Sequence, residues 1–103
     1  MRIIIDECVP NIVKKGLPQR NITTVQEMGW AGIKNGELLQ LVVAAGLEVF
    51  ITSDKNLQHQ QNLAAHNIAF ILLPSNQVPV VQGLLPHINA CLDSIQPKDF
   101  IKI

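Results

Sequence analysis

Ile3-Ile4-Ile5-Asp6-Glu7, near the start of the chain, joins three consecutive isoleucines to two acids. A continuous apolar run of this length is typical of a strand that is covered on both faces, because a half-exposed strand alternates apolar and polar residues. Two more such runs follow, Val49-Phe50-Ile51 and Ile68 to Leu73. Parallel sheets almost always have both faces covered by helices, so strands of this kind are consistent with an α/β fold if helices lie between them.

The segments between these runs have helical character. Asn35 is the expected N-cap of one helix, and Glu37 lies in its first turn, where the positive helix end favours an acid. Gly46 is expected to end the same helix in the left-handed conformation, and Pro86 to kink the last helix of the chain. The buried face of the helix that begins at Asn35 is predicted to be Leu38, Leu39, Leu41, Val42 and Val43. The four predicted helices run from Pro10 to Leu17, from Asn35 to Gly46, from Leu57 to Asn67 and from Pro79 to Ile95.

Two further strands complete the pattern. Asn21 to Val25 is rich in β-branched residues, and Phe100 to Ile103 is expected to form a terminal strand at an edge of the sheet. The resulting β-α-β-α-β-α-β-α-β order, with short connections, predicts right-handed crossovers within one domain over 1–103. We therefore expect a three-layer α/β/α sandwich with a mainly parallel five-stranded sheet in the order 2-1-3-4-5.

The composition excludes several classes of protein. The chain of 103 residues is 48% hydrophobic and 16% charged, which excludes a disordered polypeptide. Its eight basic residues balance its eight acidic ones, so no net field draws it to RNA or to an anionic membrane, and RNA binding would need a local site or a charged partner. No apolar run reaches the roughly 20 residues of a membrane-spanning helix. We expect a cytoplasmic protein with no membrane association, in which Cys8 and Cys91 are buried and reduced.

Acidic residues follow the predicted strands. Asp6 and Glu7 come directly after the first strand, Glu27 after the second and Asp54 after the third, while Glu37 begins the helix that follows the second. Ligands of open parallel sheets bind at the carboxyl ends of the strands, so we expect these five acids at one rim. If the first and third strands are neighbours, Asp6 and Asp54 face each other there.

Grouped carboxylates without histidine or cysteine ligands suit a hard cation, Mg²⁺ or Mn²⁺. Such an ion can polarise a phosphoryl oxygen and lower the pKa of bound water, which is the chemistry of phosphodiester hydrolysis. Any one of these acids could instead be a helix or turn cap, so the hypothesis depends on Asp6 and Asp54 together. Lys55, next to Asp54, could help to hold a substrate phosphate or be an ordinary solvated lysine.

Four stretches of the sequence resemble a short PIN-like domain in their order and spacing. Over Met1 to about Leu73, the chain is similar to the toxin half of bacterial toxin–antitoxin pairs of the VapC kind. The resemblance implies a PIN-like fold, a Mg²⁺- or Mn²⁺-dependent endoribonuclease, and a small DNA-binding antitoxin as partner. The four stretches are Ile3 to Pro10, Glu27 to Gly32, Asn35 to Leu39 and Phe50 to Leu57.

The resemblance also implies roles for single residues. Asp6 and Asp54 match metal-binding aspartates of the family, and Glu7, which matches an acid that often follows the first of them, would be a further ligand of the ion. Asn35 stands where the family usually has an aspartate, so it would orient a metal-bound water, and Glu37 is the nearest acid that could assist. The expected site therefore combines these five residues with Lys55 as a phosphate contact.

Two alternatives remain open. Asn35 brings no charge, so the chain could be a catalytically degenerate PIN-like binding module; its low charge and apolar C-terminal helix also suggest a homodimer or a complex with a partner protein. A response-regulator receiver domain shares the β-α order, paired acids after the first strand and a phosphorylated aspartate at the position of Asp54. Receivers place a lysine after the fifth strand, however, whereas Lys102 lies within that strand here.

Overall fold

Five short strands form one sheet in a computed structural model that describes residues 1–60 and 62–103. They are β1 (Arg2–Ile5), β2 (Asn21–Thr24), β3 (Val49–Thr52), β4 (Ala69–Leu72) and β5 (Phe100–Lys102). The strand order is β2-β1-β3-β4-β5, as the sequence predicts, and β5 lies at an edge. All neighbouring strands are parallel, so the sheet is entirely rather than mainly parallel.

Helices cover both faces of the sheet, which confirms the three-layer sandwich. Those in the described residues are α1 (Ile12–Gly16), α2 (Asn35–Ala44), α3 (Leu57–Gln60) and α4 (Val78–Ser94), with a 3-10 turn at Leu63–Ala65. Residues of α1 and α4 pack against one face, and residues of α2 and α3 against the other. Within 1–60 and 62–103, no helix has both the length and the apolar character that crossing a membrane requires.

The two faces of the sheet are formed by alternate residues of the central strands, because successive side chains of a strand point in opposite directions. Ile4, Phe50 and Phe70 lie in register and belong to the core beneath α2, with the two rings edge to face at a centroid distance of 6.1 Å. Ile3 and Ile5 belong to the core beneath α1 and α4. Both faces exclude water, so the strands are continuous apolar runs in the sequence.

The first helix is shorter than predicted. Pro10 lies before it in a turn, where its carbonyl accepts a hydrogen bond from the backbone N–H of Val13 at 3.2 Å, and the helix begins at Ile12. Leu17 is outside the helix with φ −126° and ψ 60°. Its conformation follows from Pro18, because the residue before a proline is disfavoured in the helical region.

The prediction that Asn35 caps α2 is wrong. The N-cap is Lys34, which has extended backbone and whose carbonyl accepts a hydrogen bond from Leu38 at 2.8 Å. Asn35 is the first helical residue, and its side chain reaches Asp54 instead of the free amides of its own helix. Glu37 does lie in the first turn, as expected.

The end of α2 is as predicted, but its buried face is narrower. Gly46 has φ +76°, and its N–H donates to Val43 while that of Leu47 donates to Val42, the hydrogen-bond pair of a Schellman motif. Val42 is buried, whereas Leu41 is half-buried and Val43 is 40% exposed. Successive helical residues are turned by about 100°, so the neighbours of Val42 point away from the sheet.

The single helix predicted from Leu57 to Asn67 is also wrong. Within the described residues, α3 spans Leu57–Gln60, Asn62 lies outside any helix, and the 3-10 turn at Leu63–Ala65 is a separate element. Leu57 is the buried residue of α3, so little apolar surface holds a longer helix against the sheet. In α4, by contrast, the helix continues through Pro86, which lies on its exposed side.

Candidate functional site

Asp6 lies directly after β1, and only 7% of the residue is exposed. Its backbone N–H continues the sheet by donating to the carbonyl of Ile51 at 2.9 Å. Its Oδ1 accepts a hydrogen bond from the N–H of Glu7 at 2.8 Å, and its Oδ2 accepts one from the hydroxyl of Thr52 at 2.8 Å. These two bonds hold the carboxylate in one orientation at the end of the strand.

Asp54, two residues beyond β3, is held in a similar way. Its Oδ1 accepts a hydrogen bond from the N–H of Asn56 at 2.9 Å, and its Oδ2 accepts one from Nδ2 of Asn35 at 3.2 Å. The backbone N–H of Asp54 donates to Oγ1 of Thr52 at 3.0 Å. The Thr52 hydroxyl therefore links both aspartates, because it donates to Asp6 and accepts from the backbone of Asp54.

A cavity of about 400 Å³ opens at the carboxyl ends of β1 and β3, and we call it the acid cavity. Neither Asp6 nor Asp54 forms an ion pair with any residue that the structure describes. Among the residues described for its lining, the cavity has three carboxylates and no lysine, arginine or histidine. Its lining residues are Asp6, Glu7, Cys8, Asn35, Ser53, Asp54 and Asn76.

The other residues predicted for the site are divided between this cavity and its surroundings. Glu7 and Asn35 line the acid cavity, and Oε1 of Glu7 accepts a hydrogen bond from the N–H of Gly32 at 3.1 Å. Glu37 is exposed on α2 and is not part of the lining. Lys55 faces a different cavity next to this one.

This second cavity, which we call the basic cavity, has a volume of about 450 Å³ and lies at the carboxyl ends of β3, β4 and β5. Its basic side chains are Lys55, His59 and Lys102, and none of its described lining residues is an aspartate or glutamate. Two buried residues at the end of β4, Leu72 and Leu73, contribute the apolar part of its wall. The same edge of the sheet therefore carries two cavities of opposite charge.

Glu27, the fifth acid expected at this rim, lies apart from the acid cavity. Its carboxylate accepts hydrogen bonds from Nζ of Lys14 at 2.6 and 2.7 Å and from the N–H of Thr24 at 3.1 Å. The bond from the Lys14 ammonium is the main reason why the pKa of the Glu27 carboxyl lies below its usual range. Glu27 therefore fastens the turn after β2 to α1.

Sequence reasoning did not assign roles to Thr52, Ser53, Cys8 or Asn76. The thiol of Cys8 lies 3.6 Å from Oδ2 of Asp6 and accepts a hydrogen bond from the hydroxyl of Ser53 at 3.2 Å. This thiol is free and half-buried, rather than buried as predicted. Thr52 and Ser53 could have been found, because they precede Asp54 at a predicted strand end; nothing in the sequence singles out Asn76.

The lining of the acid cavity bears on which ion it can hold. Within 1–60 and 62–103, no three histidine, cysteine, aspartate or glutamate side chains converge closely enough to hold a metal ion. Mg²⁺ in proteins is often bound by only one or two carboxylates, with water and substrate phosphate as the remaining ligands. Asp6 and Asp54 suit that arrangement, because both carboxylates are fixed and both offer hard oxygen ligands.

The strand order and the position of Asp6 and Asp54 agree with what the resemblance to short PIN-like domains implies. Other doubly wound α/β proteins share these features, so the fold alone does not identify a family. Comparison with known proteins does not identify one either, since no protein-family model, no curated protein and no solved structure matches the chain.

Proposed function

We propose that this chain is a Mg²⁺- or Mn²⁺-dependent ribonuclease that hydrolyses phosphodiester bonds in RNA, with Asp6 and Asp54 as the ligands of the ion. The observation that carries the proposal is the acid cavity, whose lining, among the residues that the structure describes, has three carboxylates and no basic side chain. Carboxylates brought together in this way repel one another, and a bound cation offsets that repulsion. The hard oxygen ligands favour Mg²⁺ or Mn²⁺ over softer metals.

When bound, the ion would supply electrostatic stabilisation of the charge that develops on the phosphate. The residues of the chain would position the ligands of the ion and accept a proton. Thr52 fixes the relative position of Asp6 and Asp54, and Asn35 fixes Asp54 through its amide. Hydrolysis forms a bond between a water oxygen and phosphorus, breaks a phosphorus–ribose oxygen bond and passes one proton to a base. Glu7 suits that last role, because it lines the cavity and is itself exposed.

A second candidate function is a binding module that does not cleave RNA. Each carboxylate oxygen of Asp6 and Asp54 already accepts a hydrogen bond within the chain, and Asn35 holds Asp54 with a neutral amide. These bonds compensate the two charges in part without an ion. Val78 and Val80, 50% and 42% exposed at the start of α4, would be covered by a partner such as a small DNA-binding antitoxin, or by a second copy, in the cytoplasm.

The receiver hypothesis has less support than either candidate. A receiver reads phosphorylation of its aspartate through a lysine at the same site. Lys102 lines the basic cavity, whereas Asp54 lines the acid cavity, so the two residues do not share a site.

Cleavage of single-stranded RNA in Mn²⁺ tests the enzyme directly. We expect slow cleavage by the native chain and a loss of at least about a hundredfold for Asp54→Asn, because the substitution removes a charged ligand while keeping the shape of the side chain. The matched control is Asp93→Asn. Asp93 is an exposed aspartate on α4 that forms an ion pair with Arg20, and its substitution should leave cleavage unchanged.

Asn35→Asp separates the two candidates. If the neutral amide limits an otherwise competent site, restoring a carboxylate there should raise the cleavage rate or tighten the binding of Mn²⁺. If the native chain and Asn35→Asp both leave RNA intact in Mn²⁺, the ribonuclease is excluded and the binding module stands.

A further inference from the structure

The basic cavity carries two lysines and, among the described residues, no aspartate or glutamate to pair with them. Lys14 and Arg20, elsewhere on the surface, are engaged in ion pairs with Glu27 and Asp93. Lys55 and Lys102, by contrast, form no ion pair with the residues that the structure describes. In a chain with equal numbers of acidic and basic residues, two lysines that share a cavity with no aspartate or glutamate among its described lining residues form a local site for an anion.

The two cavities are joined by one loop. Asp54 lines the acid cavity, and the next two residues, Lys55 and Asn56, line the basic cavity. The N–H of Asn56 donates to Oδ1 of Asp54 at 2.9 Å, so this bond connects a residue of the basic cavity to a residue of the acid cavity. A linear polymer bound across this loop would contact carboxylates in the acid cavity and ammonium groups in the basic cavity.

The sheet sets how far the two cavities together extend along its carboxyl edge. Asp6 follows β1 and Lys102 ends β5, and the order β1-β3-β4-β5 separates these strands by three spacings. At about 4.8 Å per spacing, the ends of β1 and β5 lie roughly 14 Å apart. A short run of nucleotides in an extended single strand covers this distance, whereas one small anion cannot occupy both cavities.

We propose that the basic cavity binds a backbone phosphate of single-stranded RNA, a short run of nucleotides away from the phosphate that enters the acid cavity. This inference deepens the proposed ribonuclease function and rests on it for the choice of RNA, but the binding step requires no cleavage. Lys55 and Lys102 contact the phosphate oxygens, and Asn56 and His59 line the same cavity. Contacts to phosphate do not read the base sequence, so this subsite positions RNA without selecting a sequence.

The test measures RNA binding without chemistry. A fluorescein-labelled single-stranded RNA is titrated with the native chain in EDTA, and binding is followed by fluorescence anisotropy at several salt concentrations. We expect Lys55→Gln and Lys102→Gln each to weaken binding roughly tenfold, as the loss of a charged hydrogen bond does. Each variant should also lower the slope of log affinity against log salt by about 0.7, the value for one lost contact to a single strand.

The matched control is Lys15→Gln, which removes an equal charge from an exposed lysine on α1, away from the basic cavity. If Lys15→Gln weakens binding as much as the other two variants, the effect is one of net charge and the subsite is excluded. It is also excluded if the native chain does not bind RNA at low salt. If binding depends on Lys55 and Lys102 but no RNA is cut in Mn²⁺, the subsite stands and the proposed nuclease fails.

Discussion

Thr52 is the residue on which the geometry of the acid cavity depends most. It is 1% exposed, so water cannot easily replace its hydrogen bonds to Asp6 and to the backbone of Asp54. Its position follows from the sheet, because Thr52 is the last residue of β3, and β3 lies between β1 and β4. A single buried hydroxyl therefore determines how two charged groups from different strand ends are placed.

Thr52→Val should lower the free energy of unfolding by about 1–3 kcal/mol, because valine keeps the shape but leaves Asp6 and the Asp54 amide each short of a hydrogen bond. Thr52→Ser should recover most of the loss. Urea denaturation measures both changes. The control is Thr23→Val in β2, where the hydroxyl has no hydrogen bond to a described residue; equal losses at the two positions would contradict the special role of Thr52.

The sequence places some residues of the site and not others, for a physical reason. Asp6 and Asp54 could be predicted, because a residue that follows a buried parallel strand must lie at the carboxyl edge of the sheet. The role of Asn35 could not, since helix-cap preferences describe contacts within one helix and its partner Asp54 belongs to another segment. Lys55 was predicted to contact a phosphate, but its association with Lys102 exists only once β5 is added to the sheet.

At the scale of the element, alanine substitutions of two glycines in and after the helices should change stability in opposite directions. Gly46 ends α2 with φ +76°, and a Cβ there would lie 3.2 Å from Nη1 of Arg2. Gly46→Ala should therefore lower the free energy of unfolding by about 1–2 kcal/mol. Gly83 lies inside α4 with open space around it, so Gly83→Ala should raise that free energy by about 0.5–1 kcal/mol.

Thermal melting followed by circular dichroism measures both variants. About 4–8 °C per kcal/mol is expected for a domain of this size, so the two melting temperatures should move apart on either side of the native value. If Gly46→Ala melts at or above the native temperature, the Schellman end of α2 does not require a glycine.

The strands were easier to predict than the short helices because their stability has a different origin. Each central strand is apolar on both faces, so the signal lies in consecutive residues of the sequence. Helices α1 and α3 have five and four residues, too short to be stable without packing, and their ends are set by Pro18 and by the turn at Asp54. Their boundaries therefore depend on tertiary contacts that periodicity does not contain.

At the scale of the whole molecule, folding separates charges that composition shows as balanced. The eight acidic and eight basic residues cancel, yet the carboxyl edge of the sheet has an acid cavity and a basic cavity side by side. This separation arises because Asp6 and Asp54 follow β1 and β3, while Lys55 comes one residue later in the chain and Lys102 ends β5. A protein with no net charge can thus have one site suited to a cation and another suited to a polyanion.

Ion binding should be visible in the stability of the whole chain. An ion that binds only the folded state stabilises it by mass action, by about 1.4 kcal/mol when its concentration is ten times the dissociation constant. Millimolar Mn²⁺ should therefore raise the melting temperature by about 5–10 °C. Asp6→Asn should lose most of this increase, whereas Asp93→Asn, in the ion pair with Arg20, should keep it.

The same variant measured without the ion distinguishes a lost ligand from a damaged fold. Asp6→Asn removes one of three carboxylates around the acid cavity, so the repulsion among them falls and the metal-free protein should melt at or above the native temperature. A lower metal-free melting temperature would mean that the bonds from Glu7 and Thr52 need the charge of Asp6 for stability. If the native chain shows no shift in Mn²⁺, the cavity does not bind the ion and its carboxylates serve only to hold the strand ends.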